Sequence, residues 1–569
     1  MIRRIPEEAH DLFDYTSGRW IYNDALRHSE RRRCFDISEL KRLAAASIHQ
    51  RTEDVAKFEK LAEGGFNRAF LVTMRDGFQL VARIPYPSTA PKNLLVASEV
   101  ATMGFLRSHG IPVPKVYGYS TVSTNPARTE YIFMELIRGR NLGDIWFDLS
   151  ERQRITVVSK IVELESRIFA LRFPASGSLY HCGDLQGETA RTAVPTADHL
   201  SGENNFCIGP DTTLGLWFGK RLALSAERGP CKFWCFFTTV IIRSLRSYSQ
   251  PLTNLPDKDC LAALTAGAEK EISYLTKYGR PILPLQRLRR EIYDYKPRSH
   301  LDHLVNLRQY LQIAPHLIPH HDPALARPVM RHPDLQPSNI FVTDKLEITG
   351  LIDWQHSAIL PLFLHSAIPN SFQNYGDEIS ESMQLPTLPA NFDELDEMKQ
   401  CAEVELLRKR QLHYFYLRET AKMNPEHFNA LMNGLNTLRR KLFHHASEPW
   451  DGDNVTLKAD LISLTEKWQQ LTSSSGSEVP CPITFSEHEA AACIQLDKAQ
   501  VEADEQLQAC REAIGVSTEG WVPLEFYEEV KQREVKLKAD ALDAAETEEE
   551  RARTREHWVF DDFCEEDYL

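Results

Sequence analysis

Arg331-His332-Pro333-Asp334-Leu335-Gln336-Pro337-Ser338-Asn339-Ile340-Phe341-Val342 holds an aspartate and an asparagine in one short loop, and Ile348-Thr349-Gly350-Leu351-Ile352-Asp353-Trp354 follows closely. Apolar residues flank both polar segments and predict short β-strands, with a hairpin turn at Thr343-Asp344-Lys345 between them. Two carboxylates and one carboxamide are therefore expected on two adjoining loops.

These residue types suit phosphoryl transfer from a magnesium nucleotide. The spacing from Asp334 to Asn339 matches the D-x-x-x-x-N pattern of a kinase catalytic loop. Such chemistry needs one carboxylate to orient the attacking hydroxyl and accept its proton, and further oxygen ligands for the metal. We predict Asp334 as the catalytic group and Asn339 and Asp353 as magnesium ligands. The alternative is that Asp334 and Asp353 are turn residues, which leaves the pairing of the two motifs unexplained.

The same segments resemble the aminoglycoside phosphotransferase and choline kinase superfamily. Further segments are similar to its fungal group typified by altered inheritance of mitochondria protein nine, namely Tyr15–Trp20, Gly64–Asn67, Val81–Pro85, Ile111–Pro114 and Gly209-Pro210. The resemblance runs from Leu12 to about Val522. It implies an α+β, bilobal, protein-kinase-like fold with a small, mainly β N-lobe, a large, mainly helical C-lobe and a helical C-terminal extension. It also implies that His332 packs beneath the catalytic turn as a structural residue.

The nucleotide is expected to bind along the N-lobe. Gly64 and Gly65 would let backbone N–H groups approach phosphate, although a Gly-Gly pair alone can be an ordinary turn. Arg83 takes the place where kinases carry a lysine for the α- and β-phosphates, and its fork can bind phosphate bidentately. Glu99 would hold that cation, unless it is only a solvated helix charge. The predicted ATP-binding residues are Gly64, Gly65, Asn67, Arg83, Glu99 and, in an inter-lobe hinge that offers backbone groups to adenine, Glu135 and Ile137.

Several residues depart from the family pattern. Pro333 stands where protein kinases have an arginine that senses a phosphorylated activation loop, so no such switch is expected. Gln336 replaces a residue that is often basic, and Gln355 follows Asp353-Trp354 where many relatives have an acid. Leu360–Phe363 lacks the acidic residue of the aminoglycoside-modifying members. These departures bear on whether the protein catalyses transfer, and they do not affect the expected fold.

Composition excludes some classes of protein. The 569 residues carry a formal net charge of −14, which argues against a general nucleic-acid binder. The most apolar stretch, Phe233–Ile242, is far shorter than the roughly 20 residues of a membrane span and is read as a buried helix. The 11 cysteines are scattered, with only Cys231 and Cys235 close together, and we expect reduced thiols in an intracellular protein.

Four regions are expected along the chain. Residues 1–55 would pack on the following lobe, residues 56–139 form the N-lobe, residues 140–471 the C-lobe, and residues 472–569 a linker and a helical, acidic extension. A one-sided stripe predicts a buried helical segment from Leu457 to Leu471, and Ser473–Ser477 predicts a flexible link. In the extension, one helix face is expected to bury Ile494, Val501, Leu507, Cys510 and Ile514, with Gly515 closing the helix. The last 29 residues hold eleven acidic residues and three arginines and are read as a solvated, partly frayed tail.

Two functions are carried forward. The first is an ATP- and magnesium-dependent phosphotransferase acting on a small hydroxyl-bearing molecule. The second is a catalytically weak or inactive kinase-like protein that binds nucleotide and regulates, linked to mitochondrial function. The resemblance suggests a mitochondrial location, whereas Met1–Glu8 is a poor transit peptide because two acidic residues follow its arginines, so a cytoplasmic location stays open.

Overall fold

The computed structural model describes residues 11–185, 189–195, 205–230, 255–472 and 479–569. Three expectations lie outside these residues: the buried helix at Phe233–Ile242 with Cys231 and Cys235, the link at Ser473–Ser477, and the N-terminal Met1–Glu8. The nine described cysteines are free thiols. No helix in the described ranges combines the length and the apolar character that crossing a membrane requires.

A five-stranded antiparallel sheet forms the N-lobe, in the order β2-β3-β4-β6-β5. Its strands are β2 (Val55–Glu63), β3 (Asn67–Met74), β4 (Gln79–Pro85), β5 (Val116–Ser120) and β6 (Tyr131–Glu135). A tight turn at Gly77, whose φ is +86°, joins β3 to β4, as the Asp76-Gly77 pair predicts. Because side chains alternate along β4, Arg83 faces the space between the lobes while its neighbours Ala82 and Ile84 face the opposite side.

Each face of this sheet is covered by helices. The N-terminal segment carries β1 (Gly18–Trp20), α1 (Asp24–Arg31) and α2 (Ile37–Ser47). Apolar residues from this segment pack with those of the sheet: Phe13, Phe35, Leu40, Ala44, Phe70, Val72, Leu80 and Ala82. On the cleft side lies α3 (Lys92–Ser108), which buries Glu99.

The C-lobe is mainly helical. Its helices are α4 (Leu142–Ile145), α5 (Glu151–Phe169), α6 (Leu255–Tyr278), α7 (Arg289–Ile292), α8 (His300–Ile313), α9 (Leu362–His365), α10 (Glu378–Glu381), α11 (Glu397–Met423), α12 (Pro425–Met432), α13 (Gly434–Ser447), α14 (Val455–Glu466) and α15 (Trp468–Thr472). The predicted stripe from Leu457 to Leu471 is buried, as expected. The family fold class, an α+β chain with a small β lobe and a large helical lobe, is confirmed.

Short strands in the C-lobe present the polar loops. They are β7 (Arg140–Asn141), β8 (Ser178–His181), β9 (Thr192–Ala193), β10 (Phe206–Gly209), β11 (Pro328–Met330), β12 (Ile340–Val342), β13 (Ile348–Leu351) and β14 (Ile359–Pro361). Strand β12 pairs with β13 and β7, which confirms the predicted hairpin after Asn339. One apolar core joins Val81 and Met134 of the N-lobe to Ile340 and Trp354 of this hairpin region, so the two lobes share buried surface.

The C-terminal extension comprises α16 (Glu487–Ile514), β15 (Trp521–Pro523), α17 (Tyr527–Ala544) and α18 (Glu548–Glu556). Gly515 ends α16 in a left-handed conformation with φ +81°, as expected. The predicted apolar face was partly wrong, because Ile494 and Val501 are 39% and 52% exposed. The buried seam lies one residue earlier, at Cys493 and Gln500, then Leu507 and Ile514. The sequence pattern missed it because Gln500 is polar, yet its amide donates to Tyr293 Oη at 2.6 Å.

The expectation of a frayed tail was also wrong. Helix α18 begins with a reciprocal capping box between Thr547 and Glu550, and beyond it Trp558, Phe560 and Tyr568 are buried. Trp558 donates to Glu534 at 2.7 Å. Three large aromatic side chains supply enough apolar area to order this acidic segment against the rest of the molecule.

Candidate active site

Asp334 and Asn339 are locked together by their own loop, which runs between β11 and β12. Asn339 Nδ2 donates to the Asp334 carbonyl at 2.9 Å and to its carboxylate Oδ2 at 3.2 Å. Gln336 Nε2 donates to the same Oδ2 at 2.5 Å. With Oδ2 held by two amides, the Asp334 side chain has one fixed orientation, and neither amide bonds its other oxygen.

His332 fixes the backbone beneath this loop. It is buried, and its Nε2 lies 2.8 Å from the Ile352 carbonyl while its Nδ1 accepts from the Asp334 N–H at 3.1 Å. Only the neutral tautomer with the proton on Nε2 satisfies both bonds. Burial is the main reason that the pKa of His332 falls to about 4. The imidazole therefore ties the loop of Asp334 to that of Asp353, which is the structural role expected for it.

Acid is expected to weaken this tie. The pKa of His332 is depressed in the folded chain, so between its ordinary value and about pH 4 the unfolded chain binds the extra proton and stability falls as pH falls. From pH 7 to pH 5 this single group should remove roughly 2 kcal/mol. Urea unfolding at the two pH values should show a smaller loss for His332→Gln than for the wild type. An equal loss in both would contradict the assignment.

Asp353 follows β13 and meets the N-lobe directly. It is a non-glycine residue in the left-handed region, with φ +67°, a conformation that costs of order 1 kcal/mol and is held by its surroundings. Its Oδ1 accepts from Arg83 Nη2 at 2.5 Å, while the side chain is 42% exposed. One carboxylate oxygen is thus tied to the N-lobe and the other is left open to the cleft.

Arg83 is the centre of the contacts between the lobes. Its Nη1 lies 2.8 Å from Glu99 Oε1, and its Nη2 donates to Gln355 Oε1 at 2.9 Å as well as to Asp353. Asn67 Nδ2 donates to the same Gln355 Oε1, so Gln355 joins Asn67 to Arg83. The predicted residues Asn67, Arg83, Glu99 and Asp353 are therefore brought together. Gln355, treated from sequence only as a missing acid, is a direct partner of Arg83.

The electrostatics of this cluster follow from burial and pairing. Burial raises the pKa of Glu99 to about 7, although the Arg83 charge opposes that rise. Burial would also raise the pKa of Asp353, but the Arg83 guanidinium holds it below its usual value. Burial, and then the negative charge of Asp353, raise the pKa of Asp334. The loops of the two aspartates are held beside each other by His332, which is bonded to the Asp334 N–H and lies against the Ile352 carbonyl.

The glycine turn, Gly64–Phe66, joins β2 to β3 above this cluster. Gly64 N–H donates to the Asn67 carbonyl at 2.9 Å, which makes a tight hairpin. A Cβ placed on Gly65 would meet no atom within 4 Å. The neighbouring Phe66 ring packs edge-on against the His356 ring, with centroids 5.3 Å apart. The turn therefore reaches across to the loop that follows Asp353 and leaves Gly65 facing open space.

The hinge after β6 agrees only in part with the expectation. The Glu135 N–H already donates to the Lys115 carbonyl at 2.8 Å, and its carboxylate pairs with Arg107 at 3.0 Å, so its N–H is not available to an adenine. Ile137 lies beyond the end of β6, and its backbone groups remain the candidates for binding adenine. A cavity of about 300 Å³ adjoins the hinge, lined by Phe78, Gln79, Tyr117, Glu135, Leu136, Ile137, Arg138 and Thr349.

Comparisons with known proteins give the chain its class. Residues 57–204 match the phosphotransferase enzyme family, APH. A subtelomeric hrmA-associated cluster protein of Aspergillus fumigatus is 32% identical over 515 residues, which is 88% of this chain and 96% of the relative. The chain belongs to this phosphotransferase enzyme family.

A second relative is less similar in sequence. Altered inheritance of mitochondria protein 9, mitochondrial, of Yarrowia lipolytica is 23% identical over 543 residues, which is 91% of this chain and 86% of the relative. Among solved structures, a streptomycin-ATP-APH(2″)-IIa ternary complex is 12% identical with a TM-score of 0.34, over 76% of this chain and 96% of that chain. The resemblance inferred from the sequence is confirmed.

Proposed function

We propose that this protein is an ATP- and magnesium-dependent phosphotransferase that transfers the γ-phosphate to a hydroxyl of a small molecule. The observation that carries the proposal is the direct contact of Arg83 with Asp353 across the cleft, beside the fixed pair Asp334 and Asn339. A cation for phosphate, oxygen ligands for a metal and a carboxylate for the acceptor are the parts that this chemistry requires. Family membership supports the same reaction class.

The chemistry of the donor set fits magnesium. Asn339 directs its Nδ2 to Asp334, which leaves its amide oxygen for a cation, and Asp353 keeps Oδ2 free of Arg83. Both are the hard oxygen ligands that Mg²⁺ prefers, and it commonly takes only one or two from protein with phosphate and water completing its shell. When bound, magnesium would neutralise charge on the phosphates.

Asp334 would orient the acceptor and take its proton. Because Gln336 and Asn339 hold Oδ2, the acceptor hydroxyl would donate to Oδ1. A fixed carboxylate contributes mainly through alignment, since the transition state of phosphoryl transfer is loose. The rise in the pKa of Asp334 that burial and Asp353 cause makes it a better proton acceptor than an ordinary exposed aspartate.

A second candidate function is nucleotide binding without transfer. It is favoured by one observation: the Arg83 Nη2 is bonded to both Asp353 and Gln355, so phosphate and metal must displace protein partners to bind. A protein that stays in this arrangement would hold nucleotide weakly or act as a regulator. Relatives such as the Yarrowia lipolytica protein carry names that include the word mitochondrial. These names support a mitochondrial location under either proposed function.

Removing Asp353 tests nucleotide binding itself. We expect MgATP to raise the melting temperature of the wild type and to have no effect on Asp353→Ala, because the metal loses its carboxylate ligand. Thermal unfolding with and without MgATP measures this. Asp344→Ala, at an exposed turn residue of the neighbouring hairpin, is the matched control and should respond like the wild type. A full MgATP response in Asp353→Ala would contradict the metal assignment.

A branched side chain at position 65 tests the glycine turn. Since a Cβ there meets nothing in the protein, Gly65→Val should leave the free energy of unfolding within about 0.5 kcal/mol of the wild type. The same side chain would stand where backbone N–H groups should approach phosphate, so affinity for MgATP should fall about tenfold or more. Titration with a fluorescent ATP analogue measures it. Unchanged affinity would exclude the turn from the nucleotide site.

A further inference from the structure

The segment Tyr15–Trp20 has no part in the site described above, yet it contacts the base of the glycine turn. Glu63 is the last residue before the turn, and its side chain is fully buried, at 0% exposure. Its Oε2 accepts from the N–H groups of Thr16 and Ser17, each at 2.8 Å, and from the Ser17 hydroxyl at 2.7 Å. The Thr16 hydroxyl donates to the same oxygen at 3.4 Å, so four donors from one short segment converge on a single carboxylate oxygen.

The other oxygen of Glu63 binds within the hairpin. Its Oε1 accepts from Arg68 Nε at 2.9 Å and pairs with Lys60 at 3.2 Å. Burial would raise the pKa of Glu63, but the bonds from Ser17 and Thr16 and the charges of Arg68 and Lys60 hold it below its usual value. The carboxylate is therefore ionised and joins both strands that carry the glycine turn to the N-terminal segment.

The same segment continues directly into a strand pair with the C-terminal extension. In β1, Gly18 lies opposite Pro523 and Trp20 opposite Trp521 of β15. A Cβ on Gly18 would come within 2.4 Å of Trp521 Nε1 and of the Val522 carbonyl oxygen, so only glycine allows this approach. Next to it, the Leu524 N–H donates to the Ser17 carbonyl at 3.3 Å.

The extension is in turn fixed to the C-lobe. Arg289 Nε of α7 donates to Asp504 of α16 at 2.9 Å, and Tyr568 Oη donates to the Leu283 carbonyl at 2.9 Å. Besides its direct contact with His356 through Phe66, the glycine turn is therefore connected to the C-lobe by two longer routes. One is the covalent hinge after β6, and the other runs through Glu63, the N-terminal segment and β15.

We propose that Thr16–Trp20 together with Trp521–Pro523, here called the terminal clamp, positions the glycine turn over the nucleotide phosphates, with Glu63 as the positioning residue. The proposal rests on the nucleotide-binding role proposed above for the turn. In this proposal Glu63 does not contact the nucleotide. It positions and orders the glycine turn, which does contact the nucleotide. A preorganised turn binds phosphate without the entropic cost of ordering the loop on binding.

Two variants break the terminal clamp at different points. Glu63→Ala removes the carboxylate that the four donors of Thr16 and Ser17 share, and Gly18→Ala blocks the β1–β15 pairing without altering Glu63. Glu59→Ala is the matched control, because Glu59 lies on the same strand with a side chain 55% exposed and its one ion pair, to Lys57, at 3.8 Å. Amide hydrogen exchange of residues 64–68 without nucleotide, and the affinity for a fluorescent ATP analogue with Mg²⁺, are measured for each protein.

Both clamp variants should show exchange at residues 64–68 that is about tenfold faster or more, with unchanged exchange in β12 and β13, and MgATP affinity about tenfold weaker. Glu59→Ala should match the wild type in both measurements. Wild-type exchange and affinity in the two clamp variants would overturn the proposal. So would faster exchange in them with unchanged affinity.

Ser17→Ala guards against loss of folding in the stronger variants. This substitution removes only the exposed Ser17 hydroxyl and its 2.7 Å bond to Glu63. We expect amide exchange at residues 64–68 to become about threefold faster. Exchange at the wild-type rate would count against the terminal clamp. If the wild type binds no MgATP, the function proposed for the turn fails. Exchange in the nucleotide-free proteins then decides separately whether the clamp orders the turn.

Discussion

Asp334→Asn is expected to lower kcat for phosphoryl transfer about 1,000-fold while leaving the affinity for MgATP within a few-fold of the wild type. The reason lies in the loop's own hydrogen bonds. Gln336 and Asn339 both donate to one side-chain oxygen, so an asparagine must keep its oxygen on that side. Its NH₂ group would then face the acceptor hydroxyl, where an acceptor is required. An ATP-consumption assay over a panel of hydroxylated metabolites measures kcat.

Asp344→Asn provides the control for that experiment, because it makes the same chemical change at an exposed residue of the adjoining hairpin. It should retain wild-type turnover. Equal turnover in Asp334→Asn and the wild type would remove Asp334 from its assigned role. A wild type that binds MgATP but phosphorylates no acceptor would instead favour the second candidate function.

Arg83→Met should destabilise the folded chain by about 3–5 kcal/mol, the usual cost of leaving one partner of a buried ion pair alone. Glu99 is 3% exposed and would lose its 2.8 Å partner. Because its pKa in the folded variant would then lie far above that in the unfolded chain, the folded state binds the extra proton, and stability is lost as pH rises. Urea unfolding at pH 6 and pH 8 should show the larger loss at pH 8.

Two further variants make this result specific. Arg83→Met combined with Glu99→Gln should recover most of the stability, since the fully buried Glu99 carboxylate is then also uncharged. Arg107→Met removes an N-lobe ion pair of similar length, to Glu135, whose Arg107 side chain is 45% exposed, and should cost less than about 1 kcal/mol. If the double variant is as unstable as Arg83→Met, the loss comes from packing and not from the unpaired charge.

The local parts of the candidate site could be predicted from the sequence. Asp334 and Asn339 lie in one loop, and their contact follows from a fixed spacing followed by a strand. The hairpins of the N-lobe and the Gly515 end of α16 likewise follow from short-range turn chemistry. Arg83 and Glu99 lie on the strand and the helix expected for them, because the Asp76-Gly77 turn and the helix that follows are local signals.

The long-range contacts depended on packing. Arg83 and Asp353 are 270 residues apart, and no local pattern indicates that the N-lobe cation bonds directly to Asp353 and Gln355. The buried Gln500 was missed because a polar residue was satisfied by a partner more than 200 positions away. The ordered aromatic tail was missed for a related reason. Its acidic residues can be read directly from the sequence, whereas the surface that buries its aromatic rings is formed by residues from distant parts of the chain.

The sequence by itself determined the family, the fold class and the local contact of Asp334 with Asn339, because these depend on short spacings and on the turns and strands that such spacings favour. Only the tertiary structure decided how the ends of the chain meet. Glu63 is bonded by Thr16 and Ser17, and Gly18 pairs across more than 500 residues with Pro523. Such contacts form only when separate elements have packed and the entropy of closing the long loop between them has been offset by buried surface.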